Sequence, residues 1–274
     1  MTAHATHLWR LLKWGRTLAR YGALMGIERD PLTPAPVRRL VRLARFGARV
    51  PKEPRYAEAF QAIGPAAIKL GQTLATRPDL VGEVAARDLL RLQDALPPLP
   101  FPAIRAQVEG ALGKPLEQLF ARFDEESVGA ASIAQVHRAV TIEGRDVAVK
   151  VLRPGIAQQF ARDIETYEWA AAHLEQLGGE VRRLRPRLVI ANFRRWTLRE
   201  LDLRREAAAS SELAASMAAE PGYCVPEIDW DRTSSRVLTM QWVDGIKISD
   251  RNAIIAAGHN PRVLAARLVN SFLH

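Results

Sequence analysis

The chain is poor in cysteine and has no long apolar run. One cysteine, Cys224, in 274 residues excludes an intrachain disulfide framework and a cysteine-rich zinc site, and a reducing compartment is the simplest interpretation. No apolar run approaches the roughly 18 residues of a transmembrane helix. Arg10, Lys13, Arg16 and Arg20 interrupt the N-terminus, which therefore lacks the apolar core of a secretory signal. No flavin fingerprint, haem motif or iron-binding triad is present, so direct oxygenase chemistry is unsupported.

The basic charge is concentrated at the N-terminus. The chain carries 39 Lys and Arg against 30 Asp and Glu, which gives a formal net charge of +9. Twelve of these bases and three of the acids precede residue 56, so the rest of the chain, with 27 of each, is neutral. The basic character therefore belongs to an N-terminal extension, which could meet anionic lipid, an acidic partner or nucleic acid.

The first predicted helix of this extension is amphipathic. Leucine and tryptophan side chains recur near helical spacing among the bases of residues 5–26. One interpretation is a helix that lies on a membrane surface. The other, which we favour, is a helix docked on its own domain, because Lys13 and Arg20 break the apolar stripe. Nucleic-acid binding is not expected, since no module for it is recognisable.

The remaining patterns predict an α+β fold. Predicted helices cover residues 37–48, 56–76 with an interruption at Gly64-Pro65, 82–92, 103–112, 157–176, 187–218, 250–257 and 261–272. Predicted strands cover residues 119–124, 133–141, 145–152, 226–230 and 236–243. The prolines between 97 and 102 predict an extended linker before the first strand.

A lysine stands within an apolar strand pattern, Val147-Ala148-Val149-Lys150-Val151. On a strand, Ala148 and Lys150 share one face and the valines share the other. Burial makes such a lysine costly unless a carboxylate pairs with it, and its ammonium can bind a phosphate. The alternative is an edge strand with a solvated lysine.

A stretch of small residues, Gly129-Ala130-Ala131-Ser132, precedes the neighbouring strand. Side chains this small let backbone N–H groups approach a ligand closely, although small residues also fill tight turns. A protein kinase has its glycine-rich loop over the nucleotide phosphates at this position, one strand before the lysine strand.

Two helical segments carry further polar residues. Glu200, Asp202 and Glu206 lie in one predicted helix, where Asp202 and Glu206 are four apart and would share a face. A charged, solvated face is the alternative. Gly71 lies inside another predicted helix, where glycine costs about 1 kcal/mol relative to alanine, which indicates close packing or a site.

Together, these segments resemble the UbiB family of atypical protein-kinase-like proteins, which is tied to ubiquinone biosynthesis. Lys69, Gly71 and Gln72 match its KxGQ motif, Glu200 and Asp202 its ExD motif. Further matching stretches are 76–79, 92–94, 130–137, 147–150, 153–155, 205–207, 225–227 and 238–245. The resemblance runs from about residue 50 to the end of the chain.

The resemblance implies a kinase-like N-lobe with a five-stranded antiparallel sheet. The implied domains are a basic helical extension (1–55), a KxGQ helical segment (56–113), the N-lobe (114–248) and the start of a C-lobe (249–274). ATP or ADP would be the cofactor, with Lys150 on the phosphates and Glu206, or as second candidate Glu200, as its counter-ion. Lys69 and Gln72 would meet the ExD carboxylates, Glu200 and Asp202. The other residues expected at the nucleotide are Gly129, Ala130, Ala131, Ser132, Ala148, Met240, Gln241 and Val243.

Two departures from the family pattern affect the expected activity. Gly129 stands where family members often have Ala or Ser. Because glycine is more permissive at this position, the preference for ATP or ADP stays open. No H-x-D-x-x-x-x-N or D-F-G motif occurs in the sequence, so the family's catalytic Asp and Mg²⁺ ligands are not found. We therefore expect a fragment whose C-lobe is largely missing, with no metal site and no phosphoryl transfer.

The resemblance leaves two functions open. One is a kinase-like ATPase or small-molecule kinase that supports quinone-lipid synthesis; the other is a noncatalytic, nucleotide-gated partner of a membrane lipid-synthesis complex. It implies an anionic membrane surface or quinone-lipid precursors as partners. It also implies a peripheral location on the cytoplasmic side of the bacterial inner membrane, with a C-terminal span in some full-length members.

Overall fold

A computed structural model describes residues 3–29, 33–93, 97–176, 182–218, 220 and 222–273. Its contacts divide the chain into two compact units. The first unit comprises residues 1–99, 129–135 and 152–201, and the second comprises residues 100–128, 136–151 and 202–274. The four contiguous domains expected above stay a prediction.

Helices account for most of the described residues. They are α1 (Ala3–Arg20), α2 (Met25–Arg29), α3 (Ala35–Arg45), α4 (Tyr56–Ile63), α5 (Pro65–Ala75), α6 (Pro78–Val81), α7 (Glu83–Leu89), α8 (Phe101–Leu112), α9 (Leu116–Leu119), α10 (Ile156–Gln176), α11 (Pro186–Glu200), α12 (Leu203–Ser216), α13 (Arg251–Ala256) and α14 (Pro261–Leu273). A 3₁₀ turn at Leu90–Gln93 extends α7. The predicted break between α4 and α5 is confirmed, because Gly64 has a φ of 131° and Pro65 opens the next helix.

The first helix is docked on its own unit. His7 Nδ1 lies 3.1 Å from the Thr166 hydroxyl of α10. Arg10 donates to the carbonyl of Arg162, and the Trp14 ring packs 5.1 Å from the Tyr167 ring. These contacts lie on the face of α1 that carries part of its apolar pattern. On that face, α1 is docked on its own unit, as we predicted.

Close packing explains the glycine inside α5. A Cβ atom built on Gly71 would stand 2.5 Å from Leu92 Cδ1 and 2.8 Å from Phe60 Cδ1. Leu89 and Leu92 are buried in the same apolar cluster as Ile68 of α5. Only a residue without a side chain lets α5 approach its neighbours this closely, which outweighs the low helix propensity of glycine.

The strands form a single sheet in the order β1-β2-β3-β4, with β1 at Phe120–Ala130, β2 at Ala134–Thr141, β3 at Asp146–Leu152 and β4 at Val237–Gln241. The short connections after β1 and β2 allow only antiparallel neighbours, and β3 and β4 pair antiparallel. Gly144, with a φ of 84°, turns the chain in the hairpin between β2 and β3, where the strands 133–141 and 145–152 were predicted. The valines of β3 are buried on one face, while Ala148 and Lys150 are half-buried on the other.

The predicted strand at 226–230 is wrong, and the sheet has four strands in the described residues rather than five. Ile228 makes one isolated bridge to Met240. The next residue, Asp229, caps a 3₁₀ turn at Trp230–Arg232 by accepting from the Arg232 N–H. Its carboxylate also binds the guanidinium groups of Arg145 and Arg232. This local polar network turns the chain before a strand can extend.

The predicted helix over residues 187–218 is two helices. Leu201 ends α11, and Asp202 has extended backbone and begins α12 as its N-cap, accepting from the Arg204 N–H. Aspartate favours this position because its carboxylate satisfies an N–H that has no partner within the helix. The E-L-D segment is therefore the junction of two helices.

In the described ranges, every helix is either too short or too polar to cross a membrane. The short helix α9 was not predicted, and β1 runs six residues beyond its predicted end at Asp124. This extension could not be predicted from the sequence, because the two consecutive exposed residues Glu125 and Glu126 break the alternation of apolar and polar residues expected of a half-buried strand.

Candidate functional site

The sheet register brings three of the predicted nucleotide contacts to one face. Ala148 lies directly opposite Met240, and Lys150 lies opposite Leu238. Directly paired residues of antiparallel strands point to the same side of the sheet. Ala148, Lys150 and Met240 therefore share a face of the second unit, and each is half-buried there.

Helix α12 supplies the carboxylate for the strand lysine. Lys150 Nζ lies 2.8 Å from both Oε1 and Oε2 of Glu206. Leu203 and Ala207, which flank Glu206 in this first turn, are fully buried, and the Leu203 N–H donates to the Ser235 carbonyl ahead of β4. Burial of these neighbours fixes the rotation of the helix, which the sequence left open between Glu206 and Glu200.

The Lys150–Glu206 pair has room for an anion. The side chain of Lys150 is 26% exposed and that of Glu206 is 44% exposed. An ammonium has three N–H donors, of which two suffice for the carboxylate, and the third can meet a phosphate oxygen. The donor set therefore fits the phosphates of a nucleotide.

Asp202 does not share a helical face with Glu206, contrary to the prediction. It is the N-cap of α12, and its carboxylate accepts from the Arg204 guanidinium at 2.8 Å and 2.9 Å. Hydrogen bonding to Arg204 lowers the pKa of this carboxyl below its usual value. Asp202 is thus held ionised by a residue of its own helix.

The two polar residues of the KxGQ segment have different partners. In the first unit, Lys69 Nζ lies 2.7 Å from Oε2 of Glu200, the last residue of α11. The Gln72 amide instead donates to the Leu92 carbonyl at 2.9 Å, within the same unit. Lys69 therefore meets one ExD carboxylate, while Gln72 holds the turn that follows α7.

The small residues before β2 divide between a strand and a loop. Gly129 and Ala130 end β1, and residues 131–133 form the connection. The Ala131 N–H donates to the Ala134 carbonyl at 2.7 Å and closes this turn. Ser132 is nearly buried, whereas a Cβ at Gly129 would meet nothing within 4 Å. The space at Gly129 would accept Ala or Ser without a clash.

The chain after β4 is held by backbone hydrogen bonds in the second unit. The Gln241 N–H donates to the Glu227 carbonyl at 2.8 Å, and the Trp242 N–H donates to the Asp146 carbonyl at 3.1 Å. Val243 follows and is exposed. The backbone N–H groups of Gln241, which was expected at the nucleotide, and of Trp242 therefore already donate within the fold.

Two buried polar residues next to the loop between β1 and β2, Arg153 and Gln135, were not predicted to have a role. Arg153 donates to the Ala131 carbonyl at 3.1 Å, and Gln135 accepts from the Leu99 N–H at 2.9 Å. The signal was present, because an arginine that directly follows a buried strand must find several acceptors. In the sequence, Arg153 stands out only as the residue after a predicted strand and as part of the family-matching stretch 153–155.

Within the described ranges, no three His, Cys, Asp or Glu side chains converge in a way that could hold a metal ion. Glu200, Asp202 and Glu206 are instead engaged with Lys69, Arg204 and Lys150 respectively.

Comparison with known proteins identifies the family. Residues 91–274 match the ABC1 atypical kinase-like domain. This match covers most of the chain, which therefore belongs to the ABC1 atypical kinase-like family.

The named relatives confirm the resemblance to UbiB. The chain is 42% identical over 214 residues to "Probable protein kinase UbiB" of Marinobacter nauticus, which covers 78% of this chain and 39% of that protein. It is 36% identical over 269 residues to "Probable protein kinase UbiB" of Cellvibrio japonicus, which covers 96% of this chain and 48% of that protein. The chain thus spans less than half the length of these relatives.

A solved structure is also similar. The complex of Rv3197 with erythromycin from Mycobacterium tuberculosis matches with 29% sequence identity and a TM-score of 0.46. The match covers 68% of this chain and 46% of that one.

Proposed function

We propose that this chain is the nucleotide-binding part of a UbiB-type atypical kinase-like protein that supports ubiquinone biosynthesis. The observation that carries the proposal is the ion pair between Lys150 on β3 and Glu206 on α12. A kinase uses such a pair to hold its strand lysine against the nucleotide phosphates. ATP or ADP is the proposed ligand, and the family motifs that would hold its Mg²⁺ are not found in this sequence.

The face shared by Ala148, Lys150 and Met240 supports the placement of the nucleotide. In this proposal Lys150 meets the phosphates, while Ala148 and Met240 cover the adenine ring. Because the N–H groups of Gln241 and Trp242 already donate within the fold, Val243 is the amide proposed to read the adenine edge. The loop residues Gly129, Ala130, Ala131 and Ser132 belong to the first unit, and their expected contact with the phosphates stays a prediction.

The test is a thermal-shift titration with Mg-ATP and Mg-ADP. Ligand at one hundred times Kd stabilises a protein by about 2.7 kcal/mol, which is a shift of several degrees. We expect this shift in the wild type, its loss in Lys150→Ala and a reduced shift in Glu206→Gln, which keeps the size of the side chain but not its charge. Lys114→Ala, at an exposed lysine, is the control and should behave as wild type. An undiminished shift in Lys150→Ala would refute the assignment.

Turnover separates the two functions that the sequence left open. Mg²⁺-dependent ATP hydrolysis that Lys150→Ala abolishes would favour the kinase-like enzyme. Nucleotide binding without turnover is expected of this chain under either function, because no H-x-D-x-x-x-x-N or D-F-G motif occurs in its sequence. The same assay on a version extended through the C-lobe therefore decides between the two.

The basic extension is proposed to contact anionic lipid, which would place the protein peripherally on the inner membrane. Support comes from α3, which exposes Leu40 and Leu43 beside its arginines, and from Phe46, the exposed residue that directly follows the helix. An apolar cavity of about 430 Å³ next to these residues is lined by α1, α3 and α10 of the first unit. Exposed apolar side chains among bases are typical of a segment that lies on a membrane surface.

A further inference from the structure

The apolar cavity of the first unit is a groove between three helices. Its volume is about 430 Å³, and side chains of α1, α3 and α10 line it together with Leu24. Leu24, Val41 and Ala44 form its floor, because all three are buried in one apolar cluster. Among the described residues that line it, only Trp169 and His173 carry a polar side-chain atom. We refer to this cavity as the α1–α3 groove.

The size and the opening of the α1–α3 groove fit an elongated apolar group. Leu8 and Leu40 line it and are 49% and 57% exposed, so the groove opens to solvent along apolar side chains. A Cβ atom on Gly15 would stand 3.4 Å from the Cβ of Ala44, so α1 and α3 leave no room for a chain between these two residues. A helix with its side chains is about 10–12 Å across, and the groove would hold only about one turn of it. Its volume is instead typical of a small-molecule site.

Unpaired bases flank the groove. Arg16 lies one turn after Leu12 on α1, and Arg39 lies one turn after Pro36 on α3, so each shares a side of its helix with a residue that lines the groove. Both arginines are exposed, and neither forms an ion pair or a side-chain hydrogen bond with the part of the chain that the structure describes. Apolar walls beside free guanidinium groups complement a ligand with an apolar chain and an anionic head.

The mouth of the groove continues into the exposed apolar row of α3. Leu40 lines the groove, and Leu43 follows three residues later on the same side of α3 and is 59% exposed. This is the side of α3 that is proposed above to lie on an anionic membrane surface. A lipid chain could therefore pass from the bilayer into the groove along apolar side chains without crossing water.

We propose that the α1–α3 groove holds one acyl chain of an anionic membrane phospholipid, whose head lies among the bases of α1 and α3. The inference rests on the proposed contact with anionic lipid and adds to it a chain withdrawn from the bilayer. Contact with the membrane surface needs only the arginines, Leu43 and Phe46, none of which lines the groove. The two claims can therefore be tested separately.

The first experiment titrates the protein with monomeric lysophosphatidylglycerols of increasing acyl length, by calorimetry below their critical micelle concentrations. We expect the affinity to rise about fourfold for each CH₂ group that enters the groove, and to level off once the groove is filled. Lysophosphatidylcholine of the same length should bind about fivefold more weakly, and Arg16→Gln/Arg39→Gln should abolish this difference. No binding, or an affinity that does not depend on chain length, would overturn the proposal.

The second experiment fills the groove. Ala170 lines it from α10 and is half-buried, so Ala170→Phe should lower the affinity for lysophosphatidylglycerol at least about tenfold, the effect of excluding two CH₂ groups. Ala172→Phe is the matched control, because it makes the same change at a half-buried alanine that borders the separate cavity between α10 and α11. It should bind like wild type. Equal affinity of Ala170→Phe and wild type would refute the groove as the site.

Vesicle sedimentation separates this inference from the proposal on which it rests. Ala170→Phe should still sediment with vesicles that contain cardiolipin, because it keeps every base of α3. If the wild type sediments but binds no monomeric lysophospholipid, the groove is refuted and the membrane contact stands. If it binds the lysophospholipid but does not sediment, the membrane contact fails and the groove remains an acyl-chain site.

Two further outcomes would replace the occupant. A free fatty acid that binds more tightly than the lysophosphatidylglycerol of the same chain length would refute a membrane phospholipid as the source of the chain. A dimer that dissociates when lysophosphatidylglycerol is added, or that Ala170→Phe abolishes, would assign the groove to a second copy of the chain. Sedimentation velocity of both variants measures this, and we expect the same oligomeric state with and without the lipid.

Discussion

Lys150 Nζ lies 2.8 Å from both carboxylate oxygens of Glu206, although 56 residues separate the two in sequence. Two local features produce this pairing. Side chains alternate along β3, so Lys150 points to the face opposite the buried valines. On α12, Leu203 and Ala207 face the core, so the Glu206 side chain points away from it. Because α12 begins at Asp202, the carboxylate stands in the first turn of its helix, where a negative charge is also favoured by the helix dipole.

Replacement of Gly71 should destabilise the first unit. Gly71→Ala places a Cβ against Leu92 and Phe60, and we expect a loss of about 1–3 kcal/mol from overpacking. Gly110→Ala in α8 is the control, because its Cβ meets nothing within 4 Å and alanine should stabilise that helix by about 0.5–1 kcal/mol. Urea unfolding of both variants measures the difference. A stable Gly71→Ala protein would show that α5 can move away from its neighbours at little cost.

Helices and strands could be predicted from the sequence where the hydrophobic periodicity and the turn-forming glycines and prolines indicate the same boundaries. The break at Gly64-Pro65, the hairpin at Glu143-Gly144 and the lysine on β3 follow from local rules. The split between α11 and α12 is visible in principle, because Asp202 is a good N-cap, yet the continuous helical pattern on both sides concealed it.

The hydrogen bonds of the Arg153 side chain and the missing fifth strand depend on tertiary contacts. Arg153 and Asp229 take their roles from acceptors and donors far away in sequence, Pro97 and Arg145 among them. The partners of Lys69 and Gln72 likewise depend on the rotation of α5, which packing of Gly71 determines. No local pattern encodes these pairings.

A network around Arg232 should make the second unit sensitive to mutation. Arg232 and Asp229 are both buried, their closest atoms 3.0 Å apart, and Arg232 also reaches Glu143 at 2.8 Å. Arg232→Met removes one of the two guanidinium groups that bind the buried Asp229 carboxylate and leaves it the Arg145 side chain and the backbone N–H of residue 232. We expect a loss of about 3 kcal/mol. Glu143→Gln should cost far less, because Glu143 is half-exposed and its ion pair is screened by water. Equal losses in the two variants would contradict the burial argument.

The same network predicts a pH dependence with a definite sign. The Arg232 guanidinium, followed by hydrogen bonds from Thr141 and the backbone, lowers the pKa of Glu143 to about 2. A depressed carboxyl pKa contributes stability above the unfolded value, and this contribution is lost as the pH falls toward the folded one. The stability difference between wild type and Glu143→Gln should therefore shrink between about pH 5 and pH 2. In the Arg232→Met background the difference should be smaller and depend less on pH, because only the hydrogen bonds from Thr141 and the backbone then lower the pKa of Glu143. An undiminished slope there would refute the assignment to Arg232.

The last prediction concerns lipid binding by α3. Its arginines attract an anionic surface by roughly 1 kcal/mol each, and the exposed side chains of Leu43 and Phe46, 59% and 80% exposed, can enter the interface. We expect sedimentation with vesicles that contain cardiolipin but not with neutral vesicles, and release at high salt as the charges are screened. Leu43→Ala/Phe46→Ala should weaken binding while the charge stays constant.

The control for this pair is Ile248→Ala, which removes a comparably exposed apolar side chain of the second unit, outside residues 1–55 of the sequence. It should leave vesicle binding unchanged. Binding to both kinds of vesicle would remove the electrostatic part of the proposal. Full binding by Leu43→Ala/Phe46→Ala would show that charge alone holds the extension at the surface, because the double variant keeps every arginine of α3 and loses only apolar area.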